Sequence, residues 1–339
     1  MSNWKLVKLD FGNTPAHFGE VGIGLEETSE RVRSDTLFSA WVISYARLGG
    51  DIEALLDRFQ SEKEPPFRLS STFIYQQQNG QDIYYLPRPK KLPINYPTDD
   101  LTIAKTCKKI EFLPLDIWEK WYQTDLGFSI SDLDKLKNRK GEENYKDAFK
   151  IETQPKVAID RLTRATNFYH TSFVHYRSEA HHKSGLYFLI QFNDLSLEND
   201  LRAALELLGD EGIGGERSSG AGRFIPSWHE RPKIWQHVID FSQGDYYSLI
   251  SLYWDDKENL VPLDNSSYEL QERGGWIASP FSGKQQRRKT VRMFTEGSTF
   301  TEKLEGKLAV VTPDRADHPV YRSGIALSIP IKTLQEKPL

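Results

Sequence analysis

Apolar and polar residues alternate over residues 4–11, the period of a half-buried strand. After a connection carrying His17-Phe18-Gly19-Glu20, the residues Leu37, Phe38, Trp41, Val42, Tyr45 and Leu48 recur at helical spacing, which predicts a helix with one buried face. Ser34 precedes that periodicity as its expected N-cap, and Gly49-Gly50 closes it. A second short helix is expected from Asp51, with Leu55, Leu56 and Phe59 turned inward. Residues 167–176 and 185–192 are aromatic, β-prone runs joined by a polar connection, the pattern of a hairpin. Leu197, Leu201, Ala204, Leu205 and Leu208 then define an amphipathic helix ending near Gly209, and residues 223–228 read as a closing strand.

Between the second helix and the aromatic runs, residues 64–154 lack a sustained apolar pattern. Strands are expected at 67–75, 83–86 and 108–112, with a helical turn at 115–122 and a charge-dense, exposed stretch at 129–145. The segment reads as an insertion projecting from the first domain. The order β-α-(insertion)-β-β-α-β is the ferredoxin-like or RRM-type succession, an antiparallel sheet with two helices on one face. The expected fold class is α+β, with a first domain at 1–230 and a second, β-rich domain at 231–339. In the second, strands are expected at 246–254, 268–276, 290–294, 306–312 and 320–331, with no strong amphipathic helix.

The chain has 339 residues, long enough for two cores, and a formal charge of −4, so it is not as a whole an electrostatic partner for nucleic acid. Any such site must be a local basic patch or be completed by partner chains. One cysteine, Cys107, excludes an internal disulfide and a Cys-based zinc site and fits a reducing cytoplasm. No apolar run approaches the roughly 20 residues that span a bilayer, and residues 4–9 alternate as a strand, unlike the apolar core of a signal peptide. His170, His175, His181 and His182 lie close together without a metal-ligand pattern, and no cofactor or metal is expected.

The candidate chemistry centres on residues 212–224, Gly-Ile-Gly-Gly-Glu-Arg-Ser-Ser-Gly-Ala-Gly-Arg-Phe. The glycines Gly212, Gly214, Gly215, Gly220 and Gly222 let the backbone take positive φ and approach a partner closely. Consecutive N–H groups in such a loop can converge on an anion. Arg217 and Arg223 add guanidinium forks, and Ser218 and Ser219 add small donors. No Gly-Lys-Ser/Thr ending makes this a Walker A loop, and Arg217 stands where a dinucleotide fingerprint needs its third glycine. The competing reading is a plain surface turn.

Residues 214–224, after the second helix of a ferredoxin-like unit, resemble the glycine-rich signature of the RAMP superfamily, the RNA-binding proteins of CRISPR effector complexes. Four further stretches support the resemblance: 34–38 (SDTLF), 157–161 (VAIDR), 292–298 (RMFTEGS) and 318–324 (HPVYRSG). Together they resemble the type III-A subunit that holds the 5′ end of the guide RNA. The resemblance implies two ferredoxin-like units in tandem and a thumb protruding from the first. It also implies a non-catalytic role, gripping the repeat-derived 5′ tag and docking the large polymerase-like subunit and a backbone subunit.

Single-stranded RNA requires phosphate anchors, stacking surfaces and donors. The loop supplies the first, and Arg33 with Ser34 at the helix start is a second candidate, although Asp35 opposes an anion there and Ser34 also reads as a cap. Related RAMP nucleases carry a catalytic histidine in the loop where His17 lies, so His17 is either a general acid or base or a hydrogen-bonding residue. Asp160-Arg161 reads as an ion pair or a phosphate contact, with Arg164 three residues on. Lys284, Arg287, Arg288, Lys289 and Arg292 form the strongest local positive charge, read as a solvated flank or a contact for RNA or an acidic partner face. Phe112, Trp118, Trp121 and Tyr122 fit either a gripping thumb or an anchor. Two other classes remain open: a metal-independent endoribonuclease acting on guide precursor, and a protein-binding scaffold.

Overall fold

The computed structural model describes residues 3–19, 24, 26–138, 144–256, 263–277, 286–314, 316 and 318–334. The chain opens with β1 (Trp4–Asp10), α1 (Ser34–Arg47) and α2 (Ile52–Ser61), followed by β2 (Phe67–Leu69), β3 (Phe73–Gln78) and β4 (Gln81–Pro87). Next come α3 (Leu101–Lys108), β5 (Phe112–Pro114), α4 (Leu115–Gln123) and α5 (Ile130–Asn138). Two long strands, β6 (Phe149–Ile159) and β7 (Thr166–Tyr176), precede β8 (His182–Phe192), α6 (Glu198–Glu211) and β9 (Ile225–Glu230). The remainder holds α7 (Lys233–Asp240), β10 (Tyr246–Leu249), β11 (Leu270–Arg273), β12 (Val291–Phe294), β13 (Thr299–Phe300), β14 (Leu308–Val310), β15 (Tyr321–Ser323) and β16 (Ser328–Ile331).

An antiparallel sheet in the order β5-β4-β3-β8-β1-β9 forms the centre, with β2 also paired to β8. Strand β8 is buried on both faces, which is why residues 185–192 read as an almost unbroken apolar run. Its Leu186, Phe188, Ile190 and Phe192 face one core, and Tyr187 and Leu189 face the other. The first core lies under α1, α2 and α6, where Leu37, Phe38 and Trp41 pack with Leu201, Ala204 and Leu205. Trp41 Nε1–H donates to Leu201 O at 2.8 Å, so the largest ring in α1 is satisfied as well as buried.

The second core occupies the opposite face and joins α4 and α7 to the C-terminal strands through Trp118, Trp121, Trp235, Ile250, Leu327 and Ile329. Trp118 Nε1–H donates to Pro87 O at 3.0 Å and the Tyr122 hydroxyl to Lys91 O at 3.1 Å. These aromatics are therefore anchors. Burying each such ring contributes about 1.5–3 kcal/mol.

Several expectations need correction. Segment 64–154 does not project as a unit, because β3 and β4 belong to the central sheet and α4 to its second core. The projecting element is the two-stranded arm β6–β7, paired from Phe149–Tyr176 to Ile159–Thr166. The expected 167–176/185–192 hairpin is thus replaced: β7 pairs with β6, and β8 pairs with β1, β2 and β3. The expected strand 67–75 breaks at Ser70-Ser71-Thr72, where Ser71 N–H turns to Ile250 O and Thr72 N–H to Val32 O. Of the expected strand 108–112, Lys108 is the last residue of α3, a helix started by the Asp100 cap on the N–H groups of Thr102 and Ile103, and only Phe112 is extended, as the first residue of β5. The eight-residue α7 is a helix that the C-terminal pattern did not predict.

Among the described residues, no helix is long and apolar enough to cross a membrane. The three-stranded sheet β13-β10-β16 and the pairs β11–β12 and β14–β15 complete the C-terminal part.

Candidate functional site

Helix α6 ends at Gly212, whose φ of +86° stops the helix and starts the loop. Gly214 and Gly222 also adopt positive φ, and a Cβ there would lie 2.3 Å from His17 O and 2.1 Å from Ile213 O. These glycines admit backbone against backbone. Gly215 N–H donates to His17 O at 2.9 Å, and Gly222 N–H donates to Pro15 O at 2.7 Å, so the loop is pinned to the segment after β1. Glu216, itself left-handed at φ +56°, pairs with Lys156 of the arm. A short 3₁₀ turn over Arg217–Ser219 follows, and it leaves Arg217, Ser218 and Ser219 exposed. Arg223 is exposed as well, and among the described residues neither Arg217 nor Arg223 has an ion-pair partner.

His17 is buried against this loop. Its Nδ1–H donates to Ser172 O at 2.8 Å, and Ala16 bridges Val174, so the histidine ties the root of the arm to the glycines. The packing explains Gly215, where a Cβ would come within 2.7 Å of the His17 ring.

Arg217 lines a cavity of about 240 Å³ between the loop, the first turn of α1 and the C-terminal residues Arg273, Trp276, Arg288 and Arg322. Ser34 does not line it. Arg33 takes the N-cap position with no side-chain cap, which corrects the expected role of Ser34. Ser34 is buried; its N–H donates to Ser71 Oγ at 2.9 Å and its hydroxyl accepts from Leu252 N–H at 3.0 Å. A nucleic-acid contact at Ser34 is thereby contradicted. Arg33 reaches the cavity but donates to Glu296 at 2.5 Å.

The expected electrostatics of Asp35 also change. Burial raises its carboxyl pKa, but Arg273 and Arg322 more than reverse this and hold it well below the usual carboxylate range. Glu296 follows the same logic: burial opposes ionisation, and Arg31 and Arg33 restore it. Both carboxylates at the α1 terminus are therefore ionised and paired from within the protein.

Arg161 lies in the exposed turn at the tip of the arm, five residues beyond Lys156. It is not paired with Asp160, whose carboxylate accepts from Leu162 and Thr163 N–H at 2.7 and 3.1 Å. Arg161 is thus on the arm and not at the loop. The basic run divides: Arg287 lies over the Trp276 ring at 5.0 Å, Lys289 pairs with Asp314 at 2.9 Å, Arg288 turns inward, and Lys284 is outside the described residues. Sequence reasoning assigned no role to Arg273, Glu296 or Arg322, because partners 238 to 287 residues away carry no local signal. Among the described residues, no group of three or more His, Cys, Asp or Glu could hold a metal.

The family model of the CRISPR Csm4 C-terminal domain matches residues 242–331. Over 94% of this chain and 95% of theirs, the curated "CRISPR system Cms protein Csm4" of Methanocaldococcus jannaschii is 26% identical and that of Mycobacterium tuberculosis H37Rv 27% identical. The crystal structure of a Csm3–Csm4 subcomplex from the type III-A CRISPR-Cas interference complex contains a chain of similar fold, with TM-score 0.61 and 22% identity over 96% of this chain and 99% of that one. A Csm1–Csm4 cassette in complex with pppApA gives TM-score 0.59 at 20% identity, covering 98% and 99%. The model match over the C-terminal part and the near-full-length similarity to curated relatives together make this chain similar to the Csm4 proteins of CRISPR systems.

Proposed function

We propose that this chain is a non-catalytic RNA-binding subunit that holds the repeat-derived 5′ tag of the guide RNA. The observation that carries the reading is the loop: Arg217 and Arg223 are exposed and, among the described residues, have no ion-pair partner, on a backbone that its glycines fix against residues 15–17. Two guanidinium forks on one loop, of which Arg217 lines a cavity rich in arginine, suit a phosphate backbone. The chain's negative net charge fits RNA shared with other subunits, so affinity for isolated RNA is modest and falls steeply with salt.

The first ferredoxin-like unit comprises β1, α1, β3, β8, α6 and β9. Its sheet order β9-β1-β8-β3 supports this assignment. The arm β6–β7 serves as the thumb. The sheet β13-β10-β16 with α7 forms the core of the second unit, the assignment that the family resemblance suggests. The neighbours are the large polymerase-like subunit and a backbone subunit, a reading supported by relatives seen in Csm1–Csm4 and Csm3–Csm4 assemblies. Burial of His17 and the engagement of its Nδ1 favour a structural role over proton transfer.

The test is crosslinking of the chain, co-expressed with its neighbouring subunits, to 5′-labelled guide RNA, with adducts mapped by mass spectrometry. Adducts on peptide 212–224 that disappear in the Arg217→Ala/Arg223→Ala double variant, with intact RNA, are expected. RNA retention unchanged in that variant would leave only the scaffold reading. Chelator-resistant shortening of the RNA that is lost with His17→Ala would establish the nuclease reading instead.

A further inference from the structure

The glycine-rich loop does not account for all the positive charge around the cavity. Five guanidiniums, those of Arg31, Arg33, Arg273, Arg288 and Arg322, gather near two buried carboxylates. Arg31 and Arg33 bind Glu296, while Arg273 and Arg322 bind Asp35. Arg288 is left over. Its side chain makes no hydrogen bond or ion pair among the described residues, and its Nε is buried without a partner, as is that of Arg322.

Burial pulls the Arg288 pKa down to about 10; Arg322 adds to the effect, Asp35 opposes it, and Arg273 lowers it further. A cation held beside two others against one carboxylate is costly unless an anion joins them. The position is set by the backbone, not by a loose surface loop: Arg288 N–H donates to Gly275 O at 2.9 Å, and Trp276 bridges Arg287. Trp276 lies in the same cavity wall and is 44% exposed, a large aromatic surface directly beside the uncompensated charge.

We propose that Arg288, backed by Arg322, takes a second phosphate of the RNA strand held by the glycine-rich loop, and that the Trp276 indole stacks on the adjoining base. This rests on the RNA-holding function proposed above. RNA suits the site better than an acidic protein side chain because the aromatic surface and the unpaired guanidinium share one cavity with the phosphate-binding loop. Backbone cations beside aromatic platforms are how single strands are held.

The experiment titrates the full chain against fluorescein-labelled single-stranded guide RNA by anisotropy at several salt concentrations, with thermal melting as the fold control. Arg288→Ala is expected to weaken binding roughly tenfold and to reduce the salt slope by about 0.7, the contribution of one phosphate on a single strand. Arg288→Lys should keep the slope while losing part of the affinity, since the charge remains and the fork does not. Trp276→Ala should weaken binding by roughly tenfold with the slope unchanged, because stacking releases no counterions.

Wild-type affinity and slope in Arg288→Lys and Arg288→Ala, while Arg217→Ala weakens binding, would overturn this subsite and leave the loop function standing. Loss of a neighbouring subunit from the Arg288→Ala chain with RNA affinity intact would assign Arg288 to a protein partner and likewise overturn it. No RNA binding by the folded wild-type chain would remove both proposals.

Discussion

Arg273 grips Asp35 across the junction of β11 and α1, donating from Nε at 2.9 Å and from an Nη at 3.1 Å, with both side chains buried. The pair joins residues 238 positions apart and is completed by Arg322. Removing the carboxylate strands two buried guanidiniums. Asp35→Asn is therefore expected to destabilise the fold by about 3–5 kcal/mol, measured by urea unfolding near neutral pH. An unchanged midpoint would mean that solvent screens this junction.

The same carboxylates set the response to acid. Asp35 and Glu296 are held below the ordinary carboxylate range by Arg273, Arg322, Arg31 and Arg33, which outweigh burial. A depressed folded pKa contributes stability above the unfolded value, about 4, and that stability is lost as pH falls through the folded value. The urea midpoint of the wild type should fall below about pH 4, and Asp35→Asn should lose less across the same interval. Parallel profiles for the two proteins would count against Asp35 as a source of the acid response.

Two glycines of one loop should respond differently to the same substitution. Gly222→Ala places a Cβ 2.1 Å from Ile213 O at φ +80°, whereas Gly220→Ala meets open space at φ +88°. The second carries only left-handed strain, about 1–2 kcal/mol, and the first adds a backbone clash. Melting temperature should drop more for Gly222→Ala, and RNA retention should fall with it. Equal losses would show that backbone conformation, not packing on Ile213, dictates these glycines.

Replacing His17 tests what the imidazole does. His17→Ala removes the hydrogen bond to Ser172 O and the ring that packs on Gly215, so a loss of roughly 2–4 kcal/mol is expected from the buried hydrogen bond and the cavity together. Guide RNA incubated with wild type or variant should remain full length on a denaturing gel. A product made only by the wild type would contradict the structural role.

The arm and the second core should differ just as sharply. Leu162 at the arm tip is 94% exposed, so Leu162→Ser should change stability by no more than about 0.5 kcal/mol. Trp118 is fully buried, and Trp118→Ala should cost about 3–5 kcal/mol. Chemical denaturation of the two variants side by side checks both values.

The amino-acid sequence by itself determined β1, α1, α6 and the glycine-rich loop, because each is written in local periodicity or in adjacent residues: Leu37 to Tyr45 mark one helix face, and Gly212 to Gly222 mark the turn. It also made β8 legible as a strand, though not its neighbours. Strand pairing depends on long-range register, so only the tertiary structure decided that β7 joins β6 and that residues 64–154 contribute β3 and β4 to the central sheet. The same holds for charge. Ser34 reads as a helix cap, yet Leu252 and Ser71 claim it, and Arg33 and Asp35 find their partners in Glu296, Arg273 and Arg322. Helical period is a property of a few neighbouring residues, whereas burial and ion pairing belong to segments that meet only when the chain has folded.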